Sequence, residues 1–181
     1  NGRRLILPAF GALTGGLIKE GAGVLQLNAA NNYSGATYLS AGVLQVGNAS
    51  ALGTSTLTFQ GGTLRYGAAI SGGLSTQFAA LSGSAAMLDT NGFTITLGSA
   101  ITGSGGLVKQ GSGILITAAS STYTGGTTVE AGILRSGAGT GANPFGANGS
   151  MITVKNGATI DTNWTTASTY ASQYQLTIEG K

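Results

Sequence analysis

The chain contains no histidine and no cysteine, and only 7% of its 181 residues are charged. An average soluble domain has roughly 25% charged residues. Without histidine and cysteine there is no Ser-His-Asp triad, no cysteine nucleophile and no Cys/His zinc site. The five carboxylates are widely spaced in the sequence: Glu20, Asp89, Glu130, Asp161 and Glu179. The composition therefore predicts a protein that is not an enzyme and that has no catalytic residues, metal or cofactor.

Long hydrophobic runs are also missing. With 41% hydrophobic residues and a mean hydropathy of +0.24, the chain is too apolar for a disordered segment. Gly, Ser, Thr or Asn nevertheless interrupts each apolar stretch well before the about 20 residues of a membrane helix. The eight basic residues are scattered, so they do not form the cluster that nucleic-acid binding needs. We therefore expect an ordered chain with a thin, elongated core, no nucleic-acid partner and no membrane insertion.

What the sequence does contain is a long internal repeat. Residues 15–45 and 105–135 align without a gap at an offset of 90, and 14 of the 31 positions are identical. Many other positions differ only by Ile/Val, Ser/Thr or Ala/Ser exchanges. Such self-similarity is the signature of repeat architectures. We therefore treat residues 1–181 as a single segment of two cycles, at about 15–104 and 105–181.

Within each cycle, short stretches alternate apolar and polar residues, as half-buried strands do. Examples are VLQL at 24–27, VLQV at 43–46, TITL at 94–97 and ILIT at 114–117, all separated by turns rich in Gly, Asn and Ser. A β-sandwich would need fewer, longer strands around larger side chains. The thin and regular apolar content instead favours an all-β solenoid of about eight coils, each of about 22 residues.

The same motifs recur in both copies of the repeat. The first copy reads G-x-G-x-L-x-L at 21–27, N-Y-S-G-x-T at 32–37 and A-G-x-L-x-V-G at 41–47; the second reads G-x-G-x-L at 111–115, T-Y-T-G-G-T at 122–127 and A-G-x-L at 131–134. These motifs resemble the autotransporter-associated β-strand repeat, also called the passenger-associated transport repeat. The resemblance implies a right-handed parallel β-helix in secreted or surface-displayed bacterial proteins, with no known catalytic residues. The residues that carry it are predicted to be structural: Gly23, Leu25, Tyr33, Gly35, Thr37, Gly42, Leu44, Gly113, Leu115, Tyr123, Gly125, Thr127, Gly132 and Leu134.

Two pairs of polar residues recur in the repeat and could carry either structure or function. Tyr33 and Tyr123 could stack on a ligand, but recurrence favours rings packed at a corner with their hydroxyls bonded to a turn. Lys19 and Lys109 have no partners that would suggest catalysis or ligand binding, so we expect solvated side chains at the rim of the coil.

Three functions of different classes fit these features. The first is a non-catalytic display segment of a bacterial surface protein, such as an autotransporter passenger or adhesin-like stalk, located outside the cell or on its surface. The second is a self-assembling subunit of an extracellular filament or layer, in which coils stack on another copy of the chain. The third is a module that binds host or matrix glycan through the aromatic cluster of Trp164, Tyr170 and Tyr174. The alternative, which we favour for this cluster, is that it covers an end of the core or continues into the next coil.

Overall fold

A computed structural model of the chain describes residues 4–7, 14–139, 142–163 and 174–180. These residues form sixteen strands of three or four residues each, together with one short 3-10 helix (Ser75–Gln77). The strands are β1 (Arg4–Leu7), β2 (Leu17–Lys19), β3 (Val24–Leu27), β4 (Thr37–Leu39), β5 (Val43–Val46), β6 (Leu57–Phe59), β7 (Thr63–Tyr66), β8 (Ala86–Asp89), β9 (Thr94–Leu97), β10 (Leu107–Gln110), β11 (Ile114–Thr117), β12 (Thr127–Val129), β13 (Ile133–Ser136), β14 (Met151–Val154), β15 (Thr159–Asp161) and β16 (Gln175–Ile178).

The strands stack into three parallel sheets. One sheet has nine strands in the order β1-β3-β5-β7-β8-β10-β12-β14-β16, one has four in the order β15-β13-β11-β9, and one has three in the order β2-β4-β6. Each strand pairs with a strand of a neighbouring turn, so the chain winds as a β-solenoid of about eight turns. The predicted all-β solenoid is confirmed.

The core consists of side chains that point into the coil and stack from turn to turn. One continuous column runs through the nine-stranded sheet, with its members aligned in register: Leu5, Leu25, Leu44, Leu64, Leu88, Lys109, Val129, Val154 and Ile178. The spacing along this column is uneven in the sequence, because Leu25 and Leu44 lie closer together than Val129 and Val154 do. The turns absorb this variation, because the strands themselves keep nearly constant length.

The two sequence repeats do not occupy the same sheets. Strand β3 of the first repeat lies in the nine-stranded sheet, but its counterpart β11 in the second repeat lies in the four-stranded sheet. Likewise β2 lies in the three-stranded sheet and its counterpart β10 in the nine-stranded sheet. The change occurs at β8, which pairs with β7 of the first half on one side and with β10 of the second half on the other. The solenoid therefore shifts by one face between its two halves while the large sheet remains continuous.

Candidate functional site

The recurrent tyrosines and lysines lie at equivalent positions in the two repeats, and these positions form the candidate site. We describe first the tyrosine corner, in which the rings of Tyr33 and Tyr123 are buried. The Tyr33 hydroxyl lies 2.8 Å from Thr37 Oγ1, and the Tyr123 hydroxyl lies 2.6 Å from Thr127 Oγ1. Burial raises the pKa of both phenols. These hydroxyls are thus held inside the wall of the solenoid and not presented to a ligand.

The threonine of each tyrosine corner also contacts the following turn. Thr37 Oγ1 lies 3.0 Å from Ser55 Oγ, 18 residues further along the chain. Thr127 Oγ1 donates a hydrogen bond of 2.9 Å to the carbonyl of Phe145, also 18 residues further. Each corner is therefore a short hydrogen-bonded chain that joins two turns of the coil.

The lysines lie inside the coil, so the prediction of solvated rim side chains is wrong. Lys109 is completely buried, and its Nζ donates hydrogen bonds to the carbonyls of Gln110 (2.8 Å), Gly111 (2.7 Å) and Ala131 (3.0 Å). Lys19 is 6% exposed, and its Nζ bonds the equivalent carbonyls of Glu20, Gly21 and Ala41 at 2.8, 2.7 and 3.0 Å. The third acceptor belongs to the next turn, so each ammonium group links two coils.

A pattern in the sequence could have indicated that these lysines are buried. Lys109 lies two residues after the buried Leu107 in the same strand, and side chains two apart in a strand point to the same face. Burial lowers the pKa of Lys109 to about 8, although the nearby Asp89 carboxylate opposes this shift. Burial also lowers the pKa of Lys19. The perturbation reflects a structural ammonium group, because its three partners are all main-chain carbonyls.

Two glycine positions in each repeat are required by close approach of the backbone. Gly42 and Gly132 have φ of +67° and +68°, and a Cβ there would lie 2.7 or 2.9 Å from the buried lysine Nζ. A Cβ on Gly35 or Gly125 would clash with backbone atoms of the previous turn.

The other predicted repeat residues lie in the wall of the same coils. Leu25, Leu44, Leu115 and Leu134 are buried in the core. Gly23 and Gly113 precede β3 and β11, and their carbonyls accept hydrogen bonds from Val43 and Ile133 of the next turn. All fourteen predicted repeat positions therefore lie in the core, in a corner or at a contact between turns.

Ion pairs between consecutive turns were not predicted from the sequence. Arg65 Nε donates to Asp89 Oδ2 at 2.7 Å, and Arg135 Nε donates to Asp161 Oδ2 at 2.7 Å. Lys155 Nζ and Glu179 Oε1 are 2.6 Å apart. The signal that could have revealed the first two pairs is the repeated D-T-N triplet at 89–91 and 161–163, each following L-R by about one turn.

The carboxylates do not assemble into a metal centre. Across the part of the chain that the structure describes, no group of three or more Asp or Glu residues is placed to hold a metal ion. Three of the five carboxylates are instead held by the ion pairs above, and Glu130 accepts a hydrogen bond of 2.9 Å from Gln110 Nε2. Among the described residues there is likewise no helix long and apolar enough to cross a membrane.

The aromatic cluster predicted as a glycan contact is described only in part. Trp164 and Tyr170 lie outside the described residues. Tyr174 is half-buried, and its ring packs against Phe145 with a centroid distance of 6.0 Å. Its hydroxyl donates to the carbonyl of Gly146 at 3.3 Å and accepts from the amide of Phe145 at 3.4 Å. This ring therefore covers one end of the core.

The fold and these recurrent contacts together define a parallel β-solenoid repeat protein. A family model described as the passenger-associated-transport-repeat matches residues 17–46 and 107–135. Each of these segments contains one buried lysine and one buried tyrosine. The chain thus contains two segments that match this repeat.

Comparison with known proteins also finds a relative that is similar to part of this chain. The chain is 41% identical over 129 residues to the Adhesin BmaC autotransporter of Brucella suis biovar 1 (strain 1330). The aligned region is 64% of this chain and 4% of that adhesin, so the chain corresponds to a small part of the relative's length. No solved structure matches the chain significantly.

Proposed function

We propose that this chain is a non-catalytic display segment of a bacterial surface protein, of the autotransporter-passenger or adhesin type. The observation that carries the proposal is the use of the recurrent polar residues. The buried tyrosine of each repeat bonds to the nearby threonine, and that threonine and the buried lysine bond to the next turn of the coil. The repeat therefore supports stacking, and stacking produces a rod that holds other parts of a surface protein away from the cell.

The similarity to an autotransporter adhesin supports a location on the cell surface or outside the cell. The low charge supports the same role, because backbone pairing and a thin core stabilise the rod. A display role also needs no reactive site. Eight turns spaced at roughly 4.8 Å make a rod of about 40 Å. Each of the two cycles thus contributes about half of that length.

The test uses the complete surface protein on the bacterium that produces it. An antibody against residues 17–135 is expected to label intact cells, with a periplasmic marker that stays unlabelled as the control. Labelling only after permeabilisation would contradict surface display. In-frame removal of residues 17–106 joins Gly16 to Leu107, which reproduces the natural Gly106–Leu107 junction. This deletion is expected to keep the surface labelling and to shorten the rod by about four turns, or roughly 20 Å, in electron micrographs.

A further inference from the structure

Two of the Asn-Gly dipeptides of the chain, Asn91–Gly92 and Asn148–Gly149, lie in turns that differ in their hydrogen bonds. In such a dipeptide the glycine main-chain nitrogen can attack the asparagine side-chain carbonyl carbon, because glycine has no side chain that hinders the approach. The reaction needs a carboxamide that can rotate and a glycine N–H that can lose its proton. Asn91 and Asn148 are both exposed, so hydrogen bonding rather than burial distinguishes the two sites.

The turn at Asn91 fixes both groups that would react. The amide of Gly92 donates a hydrogen bond of 2.7 Å to the carbonyl of Ser112 on the next turn of the coil. The Asn91 side chain donates from Nδ2 to the carbonyl of Tyr66 on the preceding turn, at 3.1 Å. The attacking nitrogen and the carboxamide are therefore each tied to a different neighbouring turn.

The turn at Asn148 leaves the same two groups without such bonds. The amide of Ser150 closes this turn by donating to the carbonyl of Ala147 at 3.1 Å. Within the described residues, the Asn148 side chain and the Gly149 N–H make no hydrogen bond. Gly149 has φ of +82°, and no atom lies within 4 Å of its Cβ position, so the turn has room for a ring to form.

Comparison of the two repeats shows why the Asn148 turn is not tied to its neighbours. Gly146 and Ile152 of the second copy correspond to Gly53 and Leu57 of the first. Five residues separate the first pair and three residues separate the second. Asn148–Gly149 lies in this extension and takes part in none of the described hydrogen bonds between turns. A chemical change at Asn148 is therefore expected to leave the stacked coil intact.

We propose that Asn148 is a site of spontaneous deamidation through a succinimide and that the turn at Asn91 protects Asn91 from the same reaction. The Gly149 main-chain nitrogen gives up its proton to solvent and forms a bond to Asn148 Cγ. The bond from Cγ to Nδ2 breaks as Nδ2 takes up a proton and leaves as ammonia. Water then adds to either carbonyl carbon of the ring and opens it, which gives aspartate or isoaspartate. Each event adds one negative charge to a chain whose net charge is +3.

Peptide mapping of the complete surface protein tests the proposal. The purified, folded protein is incubated in mildly alkaline buffer made with heavy-oxygen water, so a carboxylate that forms during the incubation carries the label. Trypsin then separates the two sites, because Asn148 lies on peptide 136–155 and Asn91 on peptide 66–109. The labelled product is expected to form about 10- to 100-fold faster at Asn148, because reaction at Asn91 first requires the loss of two hydrogen bonds. At Asn148 both aspartate and isoaspartate should be present.

Three controls separate the effect of the turns from that of the dipeptide. In protein unfolded with guanidinium, Asn91 and Asn148 are expected to react at similar rates, because the hydrogen bonds that protect Asn91 are gone. Asn143 lies on the same tryptic peptide as Asn148 but precedes Pro144, which has no N–H to attack with, so it should stay unlabelled. Asn148→Gln should remove the label from this peptide and leave the circular dichroism spectrum unchanged.

Equal rates at Asn91 and Asn148 in the folded protein would overturn the proposal, and so would the absence of labelled product at Asn148. Aspartate as the sole product would also contradict it, because direct hydrolysis of the carboxamide gives no isoaspartate.

Discussion

At the scale of single residues, the buried lysines donate hydrogen bonds to main-chain carbonyls of the turns. Each corner directs several main-chain carbonyls toward the interior, and a buried carbonyl without a donor is destabilising by about 1–3 kcal/mol. The Lys109 ammonium satisfies three such carbonyls, including that of Ala131 on the next turn. A side chain usually found at the surface is therefore a structural element of this core.

Replacement of this lysine by an apolar residue of similar length should lower stability. We expect Lys109→Met to reduce the free energy of unfolding by about 2–3 kcal/mol, because the carbonyls of Gln110, Gly111 and Ala131 lose their donor while the cost of burying a charge is removed. The matched control is Lys155→Met, which removes an exposed lysine and should change stability by less than about 1 kcal/mol. Urea unfolding followed by circular dichroism measures both. Equal effects of the two substitutions would show that the buried contacts do not stabilise the coil.

Because three tyrosines are buried, we expect the protein to lose stability in strong alkali. Burial raises the pKa of Tyr33, Tyr66 and Tyr123 above the usual value of 10.0, so the unfolded chain releases these protons at lower pH than the native chain. Their contribution is complete below pH 10 and is lost as the pH rises above it. Each such tyrosine steepens the fall in the free energy of unfolding by up to about 1.4 kcal/mol per pH unit.

Tyr123→Phe tests this assignment between pH 10.5 and 12. The variant loses one hydrogen bond to Thr127, which should cost about 1 kcal/mol at pH 7. Its free energy of unfolding should then fall less steeply with pH than that of the wild type. An unchanged slope would contradict a buried phenol at this position.

At the scale of the element, the glycine that starts a strand decides how closely two turns can approach. Gly132 precedes β13, has φ of +68°, and packs against the carbonyl of Gly113 and the ammonium of Lys109. A methyl group there would be 2.5 Å from that carbonyl oxygen, closer than real Cβ contacts allow. The corner therefore needs both the left-handed backbone and the absence of a side chain.

Gly132→Ala should consequently be more destabilising than alanine at another glycine with positive φ. We expect a loss of about 3 kcal/mol or more, because strain in the left-handed region adds to a steric clash in a packed wall. Gly157→Ala is the control, since Gly157 has φ of +80° but nothing within 4 Å of its Cβ position. That substitution should cost only about 1 kcal/mol. Thermal and urea unfolding of the two variants compare the costs, and a similar loss in both would exclude the close approach as the cause.

At the scale of the whole molecule, the repeat and the strand alternation were sufficient to predict the solenoid. The stretches at 24–27, 43–46, 94–97 and 114–117 are all strands, because alternation and glycine-rich turns are local signals. The burial of the lysines was not predicted, because a charged side chain is usually exposed and we gave this more weight than position. Lys19 and Lys109 lie two residues after Leu17 and Leu107 in their strands, on the same face. The ion pairs were not predicted either, because turns of unequal length prevent a fixed spacing from identifying partners.

No local sequence pattern indicates that equivalent strands of the two repeats lie in different sheets. This change of sheet depends on the path of residues 67–85, in which Phe78 still pairs with Leu57 of the first half and Leu81 already pairs with Gly103 of the second. A sequence alignment places β3 and β11 in equivalent positions, whereas the fold places them in different sheets. The continuity of the nine-stranded sheet across this segment is therefore the central structural claim.

A distance between spin labels at Val43→Cys and Thr153→Cys tests that claim most directly. The two positions belong to different repeats but lie in one outward column, through Thr63, Met87, Val108 and Thr128. Five strand spacings of about 4.8 Å predict a narrow distance distribution centred near about 24 Å. A broad distribution, or a narrow one centred far from this value, would show that the two repeats do not form one continuous solenoid.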